Sequence, residues 1–306
     1  MEEIKLFAPA TIANVSCGFD VLGLCLDTVG DEMIIRKTNK KGVTITKIIG
    51  QNLPLETENN VAGVAVLALL EKVNTTFGFE IEIYKNIKPG SGIGSSAASS
   101  AGAVFGVNKL LEEPFSLQEL IPFAMEGEKL ASGTAHADNV APALLGGFTL
   151  VRSYNPLDVI KIDAPNELYA TVIHPQIEIK TADARSVLRK KVTLKETVIQ
   201  LGNLGGFIAG LYTNDYDLIG RSLHDEIVEP SRSILIPEFD NVIKAAKEAG
   251  ALGGGISGSG PSIFALSKGK ETADKVALAM ANAYKNLQID FDIHVSKVNA
   301  NGIKIL

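Results

Sequence analysis

The chain has 306 residues, of which 46% are hydrophobic and 21% are charged, the proportions of a folded globular protein rather than a disordered one. At about 150 residues per domain, this length predicts two domains. The 29 basic and 35 acidic residues give a net charge of −6, which argues against nucleic acid or an anionic membrane as the main partner.

Cysteine usage and apolar runs bear on where the chain works. Cys17 and Cys25 are its only cysteines, and one pair cannot build a disulfide framework, so a reducing compartment fits. The first residues are acidic and lack the basic start of a secretory signal. The longest run without a polar side chain, 61–70, is too short to span a bilayer. We expect a cytoplasmic protein that contacts no membrane.

Hydrophobic periodicity predicts strands and helices in an order that is not a strict alternation. In chain order, the predicted strands are 33–37, 43–49, 79–84, 147–153, 159–164, 168–174, 263–267, 291–297 and 302–305. The predicted helices are 60–73, a segment opened by a glycine-rich run and ending near 108, then 116–131, 193–212, 237–250 and 271–287. The starts at 116 and 193 are capping boxes.

Helices on one side of the sheets favour an α+β fold. Pro156 and Pro165 lie between strands and suggest a boundary between two domains, residues 1–155 and 156–306.

The strongest motif is the glycine- and serine-rich run 89–100, which follows a strand and opens a helix. Glycines let the backbone approach a ligand, and free amides at a helix N-terminus face an anion. The hydroxyls of Ser95 and Ser96 can bind phosphate or a metal ion. The alternative is an ordinary strand–turn–helix joint, which needs only one or two glycines. The run therefore predicts a phosphate site.

Two other phosphate motifs fit less well. The chain contains no GxxxxGK[ST] string, which argues against a P-loop NTPase. Gly92, Gly94 and Ala97 match the dinucleotide-binding pattern, with Glu112 and Glu113 about 20 residues further on. These acids follow a helix rather than end a second strand, which disfavours an oxidoreductase of that class.

Three further stretches accompany the run: 8–23, 128–139 and 254–262. With them the sequence resembles the GHMP kinases, a family of small-molecule kinases with an N-terminal motif, a central Pro-x-x-x-Gly-Leu-Gly-Ser-Ser-Ala-Ala loop and a C-terminal glycine-rich loop. Pro89 comes one place late here and Ile93 replaces the leucine, but neither change removes an amide or a hydroxyl. The glycine-rich segment 253–262 corresponds to the third motif. A cluster of β-turns is its alternative interpretation.

The resemblance implies an N-terminal domain like the second domain of ribosomal protein S5, with a left-handed βαβ crossover. It implies a ferredoxin-like C-terminal domain, with the active site between the two. Phe19 and the stretches 136–142, 229–232 and 235–237 are similar to the branch that uses ATP to convert L-homoserine to O-phospho-L-homoserine, on the route to threonine. Homodimers are common in the family, so the resemblance also implies a homodimer.

The resemblance assigns residues to ATP and to a metal ion. The ATP-binding residues would be Pro89, Gly90, Ser91, Gly92, Ile93, Gly94, Ser95, Ser96, Ala97, Ala98 and Ser99. Ser96 and Glu128 would be the protein-side neighbours of Mg²⁺, which prefers hard oxygen ligands. An isolated Glu128 would otherwise be interpreted as part of a solvated helix face.

Homoserine is a zwitterion, so its pocket needs both signs of charge. Arg185 and Arg232 suit its carboxylate, Asp20 suits its ammonium group, and the resemblance adds Asn14 as a polar orienter and His136 as a substrate contact. His174, His224 and His294 lack a partner pattern and are interpreted as structural.

The catalytic residue is left open between Asp138 and Asn139. Asp138 can accept the hydroxyl proton as a general base. Asn139 can only orient the hydroxyl, and catalysis would then rest on electrostatic stabilisation.

Three other functions remain open. Another kinase of this family could phosphorylate shikimate or mevalonate, but both lack the amine that Asp20 would bind. A dinucleotide-binding oxidoreductase and a non-catalytic ligand-binding protein are the remaining alternatives.

Overall fold

The computed structural model describes residues 1–179, 181–285 and 287–306. In chain order the strands are β1 (Glu3–Ala13), β2 (Leu22–Thr38), β3 (Gly42–Ile49), β4 (Gly78–Tyr84), β5 (Phe148–Tyr154), β6 (Leu157–Ile162), β7 (Leu168–Pro175), β8 (Gly253–Ile256), β9 (Ile263–Lys268), β10 (Phe291–Lys297) and β11 (Lys304–Ile305). The helices are α1 (Val61–Leu70), α2 (Ser95–Leu110), α3 (Leu117–Ser132), α4 (Val140–Leu145), α5 (Thr181–Ser186), α6 (Leu194–Thr213), α7 (Tyr216–Ser222), α8 (Glu229–Arg232), α9 (Phe239–Glu248) and α10 (Lys270–Tyr284).

The first sheet has seven strands, with β11, β1, β2, β4 and β3 in spatial order and the hairpin of β5 and β6 attached to β2. β3 and β4 are joined through α1 and are the single parallel pair among the described strands. This is the βαβ unit that the resemblance predicts. A dinucleotide-binding fold would instead need a mostly parallel sheet.

The helices α1 to α4 pack on one another, and α2 lies against β1 and β2. Residues 89–108 carry no charged side chain, and the position of α2 explains this. The helix is buried along almost its whole length, so small and apolar residues are the ones that fit between the sheet and α1 and α3.

The second sheet is antiparallel, with the strand order β10, β7, β9, β8. Counted within this half of the chain, the order is 4-1-3-2, that of a ferredoxin-like fold. Helix α10 packs on β7, β9 and β10 and on α9, and together they enclose a second core around Ile173, Val242, Val276, Met280 and Tyr284. The segment Gly253–Ile256 is therefore a strand and not part of a turn cluster.

The two sheets do not divide at residue 155. β6 pairs with β5 in the first sheet, and β11 returns from the end of the chain to pair with β1. We therefore propose that the domain boundary lies between Ile162 and Leu168, with residues 303–306 contributing to the first domain.

Both cysteines are free and buried. In the part of the chain that the structure describes, no helix combines the length and the apolar character needed to cross a membrane.

Candidate active site

A cavity of about 550 Å³ lies where the glycine-rich run, α3 and the loops of the second sheet meet. Most of the residues predicted for the site line it: Asn14, Asp20, Pro89, Gly90, Gly92, Gly94, Ser95, Ser96, Ser99, Glu128, His136, Asp138, Asn139, Arg185 and Arg232. Ser91, Ile93, Ala97 and Ala98 are buried and are not part of the lining. The sequence thus identified residues from six separate segments that the fold brings together.

The glycine-rich run needs glycine at two positions because neighbouring segments approach it closely. Gly92 has φ +82° and Gly94 has φ +68°. A Cβ on Gly94 would lie 2.0 Å from the Thr11 hydroxyl oxygen, and one on Gly92 would lie 2.7 Å from the carbonyl oxygen of Gly260. The run then enters α2 at Ser95, so the first amides of a long helix face the cavity, as an anion site requires.

The second glycine-rich segment braces the first. The Ser257 hydroxyl donates to the carbonyl oxygen of Gly92 at 2.7 Å, and the Ser262 hydroxyl donates to that of Ser91 at 2.6 Å. In a trans peptide the C=O and the following N–H point in opposite directions. Holding these two carbonyls therefore also fixes the direction of the Gly92 and Ile93 amides. Sequence analysis did not predict these two serines.

Lys85 is a second functional candidate that the sequence analysis missed. It follows β4, lines the cavity and forms a buried ion pair with Asp31. Its ammonium group also donates to the Ser95 carbonyl oxygen at 2.6 Å and to the Ser99 hydroxyl at 3.0 Å. Burial lowers the pKa of Lys85. A lysine between a strand and a glycine-rich run was the available signal.

Glu128 projects from α3 and is buried, not solvated. Its Oε1 has no partner among the described residues, and burial raises its pKa to about 7, while the neighbouring Ser96 hydroxyl and Lys85 oppose that shift. An unpartnered carboxylate oxygen beside a hydroxyl is a pair of hard oxygen donors, which fits a divalent cation such as Mg²⁺.

A charged cluster occupies the other side of the cavity. The Arg185 guanidinium donates to both Asp20 oxygens, at 3.2 and 3.4 Å, and lies 2.7 Å from His136 Nε2. Because arginine can only donate, Nε2 is the acceptor and the proton of the neutral ring is on Nδ1. Burial is the main cause that lowers the pKa of His136, which favours this neutral form.

Asn14 orients the loop that carries Asp20. Its Oδ1 accepts from the Asp20 amide at 3.0 Å, and its Nδ2 donates to the Gly258 carbonyl oxygen at 2.7 Å. This bond supports Asp20 in a left-handed conformation with φ +57°, which a non-glycine residue seldom adopts.

Arg232 closes the cluster at the end of α8. Its side chain donates to the carbonyl oxygens of Ala184 and Gly258, at 2.9 and 3.2 Å. The Phe19 ring lies 5.0 Å from the Arg232 guanidinium and 6.0 Å from that of Arg185. One aromatic ring therefore lies within cation–π distance of both cations.

Asp138 and Asn139 lie between these two sides, just before α4. Asp138 is 4% exposed, and burial, with contributions from Asp20 and Glu128, raises its pKa to about 7. The Oδ1 of Asn139 accepts from the Thr11 hydroxyl at 2.7 Å. The amide hydrogens of Asn139 can still donate, but its side chain is not basic enough to take up a proton, whereas Asp138 can take one up near neutral pH.

Comparison with known proteins identifies the family. The N-terminal domain of the GHMP kinases matches residues 59–147, and the GHMP kinase C-terminal domain matches residues 207–286. A homoserine kinase of Chlorobium phaeobacteroides is 48% identical, with 100% of both chains covered. The chain belongs to the GHMP kinase family.

The GHMP kinase fold is also seen in solved structures. The crystal structure of homoserine kinase from Cytophaga hutchinsonii is 54% identical and has a TM-score of 0.96, covering 100% of this chain and 98% of that one. Galactokinase from Lactococcus lactis, complexed with galactose, shares the fold at 15% identity, with a TM-score of 0.75 and coverage of 99% and 95%. The predicted α+β fold and family are confirmed, and membership in a kinase family implies the use of ATP. The dinucleotide-binding alternative is thereby removed.

Proposed function

We propose that the chain transfers the γ-phosphoryl group of ATP to the side-chain hydroxyl of L-homoserine, giving O-phospho-L-homoserine on the route to threonine. The observation that carries this proposal is the pairing of two halves in one cavity. The phosphate half has helix N-terminal amides and Lys85. The charged half has the carboxylate of Asp20 and the guanidinium groups of Arg185 and Arg232. The full-length relatives described as homoserine kinases support it.

The phosphate half suits a loose transition state, in which the protein mainly positions reactants and balances charge. The amides of 92–97 at the start of α2 would bind the phosphate oxygens. Lys85, whose three N–H groups already donate to Asp31, Ser95 and Ser99, would add a positive charge behind them. Lys85 keeps the Ser95 carbonyl in place through its hydrogen bond, so it also fixes the first turn of α2.

Glu128 and Ser96 would hold Mg²⁺ on ATP, where it would neutralise the negative charge of the phosphates. Among the described residues no group of three or more His, Cys, Asp or Glu side chains forms a metal site. A site with few protein ligands matches a cation that keeps waters and takes substrate phosphates as ligands.

The charged half suits the amino acid part of the substrate. Without substrate, Asp20 and Arg185 neutralise each other. The ammonium group of homoserine would replace Arg185 at Asp20, and its carboxylate would then bind the freed Arg185 together with Arg232. His136 would contact the substrate from the same side, and Asn14 would keep Asp20 in position.

Asp138 would act as the general base. A carboxylate whose pKa is raised to about 7 is ionised in part at neutral pH and is basic enough to accept a hydroxyl proton. Asn139 would orient the hydroxyl through its amide hydrogens.

The deciding experiment measures ADP release from Mg-ATP with L-homoserine, shikimate, mevalonate and no acceptor. Turnover with L-homoserine alone, with the phosphorus NMR signal of a phosphate monoester, is the expected result. Turnover with another alcohol would leave the phosphate half intact and overturn the substrate. Absence of ADP with every acceptor would leave a binding protein, which nucleotide titration would detect.

A homodimer remains a prediction from the resemblance, and a cytoplasmic location remains a prediction from cysteine usage and the short apolar runs. Sedimentation velocity at micromolar concentration tests the first, and fractionation of the source cells tests the second.

A further inference from the structure

Tyr154, the last residue of β5, joins the two loops that carry the acidic residues of the site. Its hydroxyl donates to the backbone carbonyl oxygen of Asp20 at 3.0 Å and accepts from the backbone amide of Ala137 at 3.3 Å. Tyr154 is not among the residues that line the cavity. The tyrosine therefore fixes these loops from outside the cavity.

The hydrogen bond from the Tyr154 hydroxyl to the Asp20 carbonyl oxygen completes the support of the Asp20 backbone. Its amide is held by Asn14 Oδ1, and its carbonyl oxygen is held by Tyr154. Both peptide units that flank the left-handed conformation of Asp20 are thus fixed. Strain of this kind persists only where surrounding contacts enforce it.

The amide bond acts on the other loop. Ala137 lies between His136 and Asp138, so fixing its peptide unit limits the movement of both side chains. The Tyr154 ring also meets the His136 ring edge-on, with ring centroids 6.3 Å apart and planes at 88°. One side chain therefore fixes the spacing between Asp20 and Asp138.

We infer that Tyr154 is a positioning residue for L-homoserine, which sets the distance between the carboxylate that binds its ammonium group and the residue that faces its hydroxyl. This inference rests on the proposed function. Because the hydroxyl acts as donor and acceptor at once, the role requires the protonated form. Burial, followed by the charge of Asp138, raises the pKa of Tyr154, which keeps that proton in place.

The test is Tyr154→Phe in the full chain, which keeps the ring and removes both hydrogen bonds. Each bond is worth about 1 kcal/mol, so the KM for L-homoserine should rise about fivefold if one bond contributes and about 30-fold if both do. The KM for ATP should stay within about twofold of wild type, since the hydrogen bonds and the ring contact of Tyr154 among the described residues go to Asp20, Ala137 and His136 and not to the glycine-rich run. Calorimetric titration of L-homoserine without ATP should show the same loss, independently of turnover. Tyr154→Leu also removes the ring contact with His136 and should weaken the binding of L-homoserine at least as much as Tyr154→Phe does.

Tyr284→Phe is the matched control, because that hydroxyl donates to the Pro237 carbonyl oxygen at 2.7 Å inside the second core. It should lower the melting temperature and leave both KM values unchanged. An unchanged KM for L-homoserine in Tyr154→Phe, or an equal rise in both KM values, would overturn the inference. If wild type uses a different acceptor in the ADP assay, the proposed function fails by itself, and a KM for that acceptor unchanged by Tyr154→Phe would overturn the positioning role separately.

Discussion

The Ser257 hydroxyl donates a hydrogen bond to the Gly92 carbonyl oxygen at 2.7 Å, joining two glycine-rich segments that belong to different halves of the chain. Ser262 repeats the contact at Ser91. Through these bonds the second half of the chain sets the direction of the amides that would bind ATP, although it supplies none of those amides itself.

Ser257→Ala should therefore weaken the binding of ATP without weakening the binding of L-homoserine. Loss of one hydrogen bond worth about 1 kcal/mol predicts a rise of about fivefold in the KM for ATP, with the KM for L-homoserine unchanged. Ser267→Ala is the control, because the Ser267 hydroxyl is buried in the same sheet region with no partner among the described residues. Equal KM values for ATP in the two variants would show that the hydrogen bond from Ser257 to Gly92 does not orient the amides of the glycine-rich run.

Arg185→Lys should raise the KM for L-homoserine at least about tenfold, because lysine keeps the charge but loses the planar fork that binds a carboxylate through two bonds. Steady-state kinetics with varied L-homoserine measures it. Arg189→Lys is the matched control, since Arg189 pairs with Glu196 on the surface. A KM within twofold of wild type would remove Arg185 from substrate binding.

Asp138→Asn should lower kcat at least about a hundredfold, the usual contribution of a general base. In wild type the base must be ionised, so kcat/KM should rise with pH through a midpoint near the pKa of about 7, and the variant should lack this limb. Asp163→Asn, at an exposed position, is the control. A loss of less than about tenfold in kcat would exclude Asp138 as the base and favour orientation by Asn139.

Glu128→Gln should raise the Mg²⁺ concentration that gives half-maximal activity at least about tenfold, because an amide oxygen is a weaker ligand for a hard cation than a carboxylate. Titration of Mg²⁺ at saturating ATP measures the change. Glu126→Gln, on the exposed face of the same helix, should leave the curve in place. Coincident curves for the two variants would show that Glu128 does not hold the metal.

The carboxyl group of Glu229 makes the free energy of unfolding depend on pH. Burial and the neighbouring Asp225 raise its pKa from 4.5 to about 8. Between these values the folded protein retains a proton that the unfolded chain has lost, so stability falls as the pH rises through this window. Glu229→Gln should unfold like wild type at pH 4 and be more stable by about 4 kcal/mol at pH 8, since one pKa unit corresponds to about 1.4 kcal/mol. Urea unfolding of both proteins at the two pH values measures it, with the exposed Glu271→Gln as control. Equal stability at pH 8 would contradict the prediction.

Much of the fold could be predicted because periodicity and capping signals are local. The structure has helices starting after the capping residues Ser116 and Thr193 as predicted. β1 was not predicted because Pro9 interrupts its pattern, although the strand accommodates this proline next to a register shift. Short helices such as α4 and α7 carry too few residues to establish a period.

The residues of the site were likewise predictable only where the sequence signal is local. The glycine-rich run and the charged residues were found because unusual composition and the family resemblance mark them. Lys85, Ser257 and Tyr154 were missed because their roles arise from contacts between distant segments, which a local pattern cannot contain. A tyrosine at the end of a strand, for example, carries no sign that its hydroxyl meets two loops.

The pairing of β1 with β11 has a consequence for synthesis on the ribosome. Leu6 is opposite Ile305 in the sheet, so one edge of the first sheet stays uncovered until Lys304 and Ile305 have been made. At about 5–20 residues per second, that interval is about 15–60 seconds. During this time the nascent chain exposes an unpaired strand edge of the kind that templates association, so chaperone access to this edge matters throughout the interval.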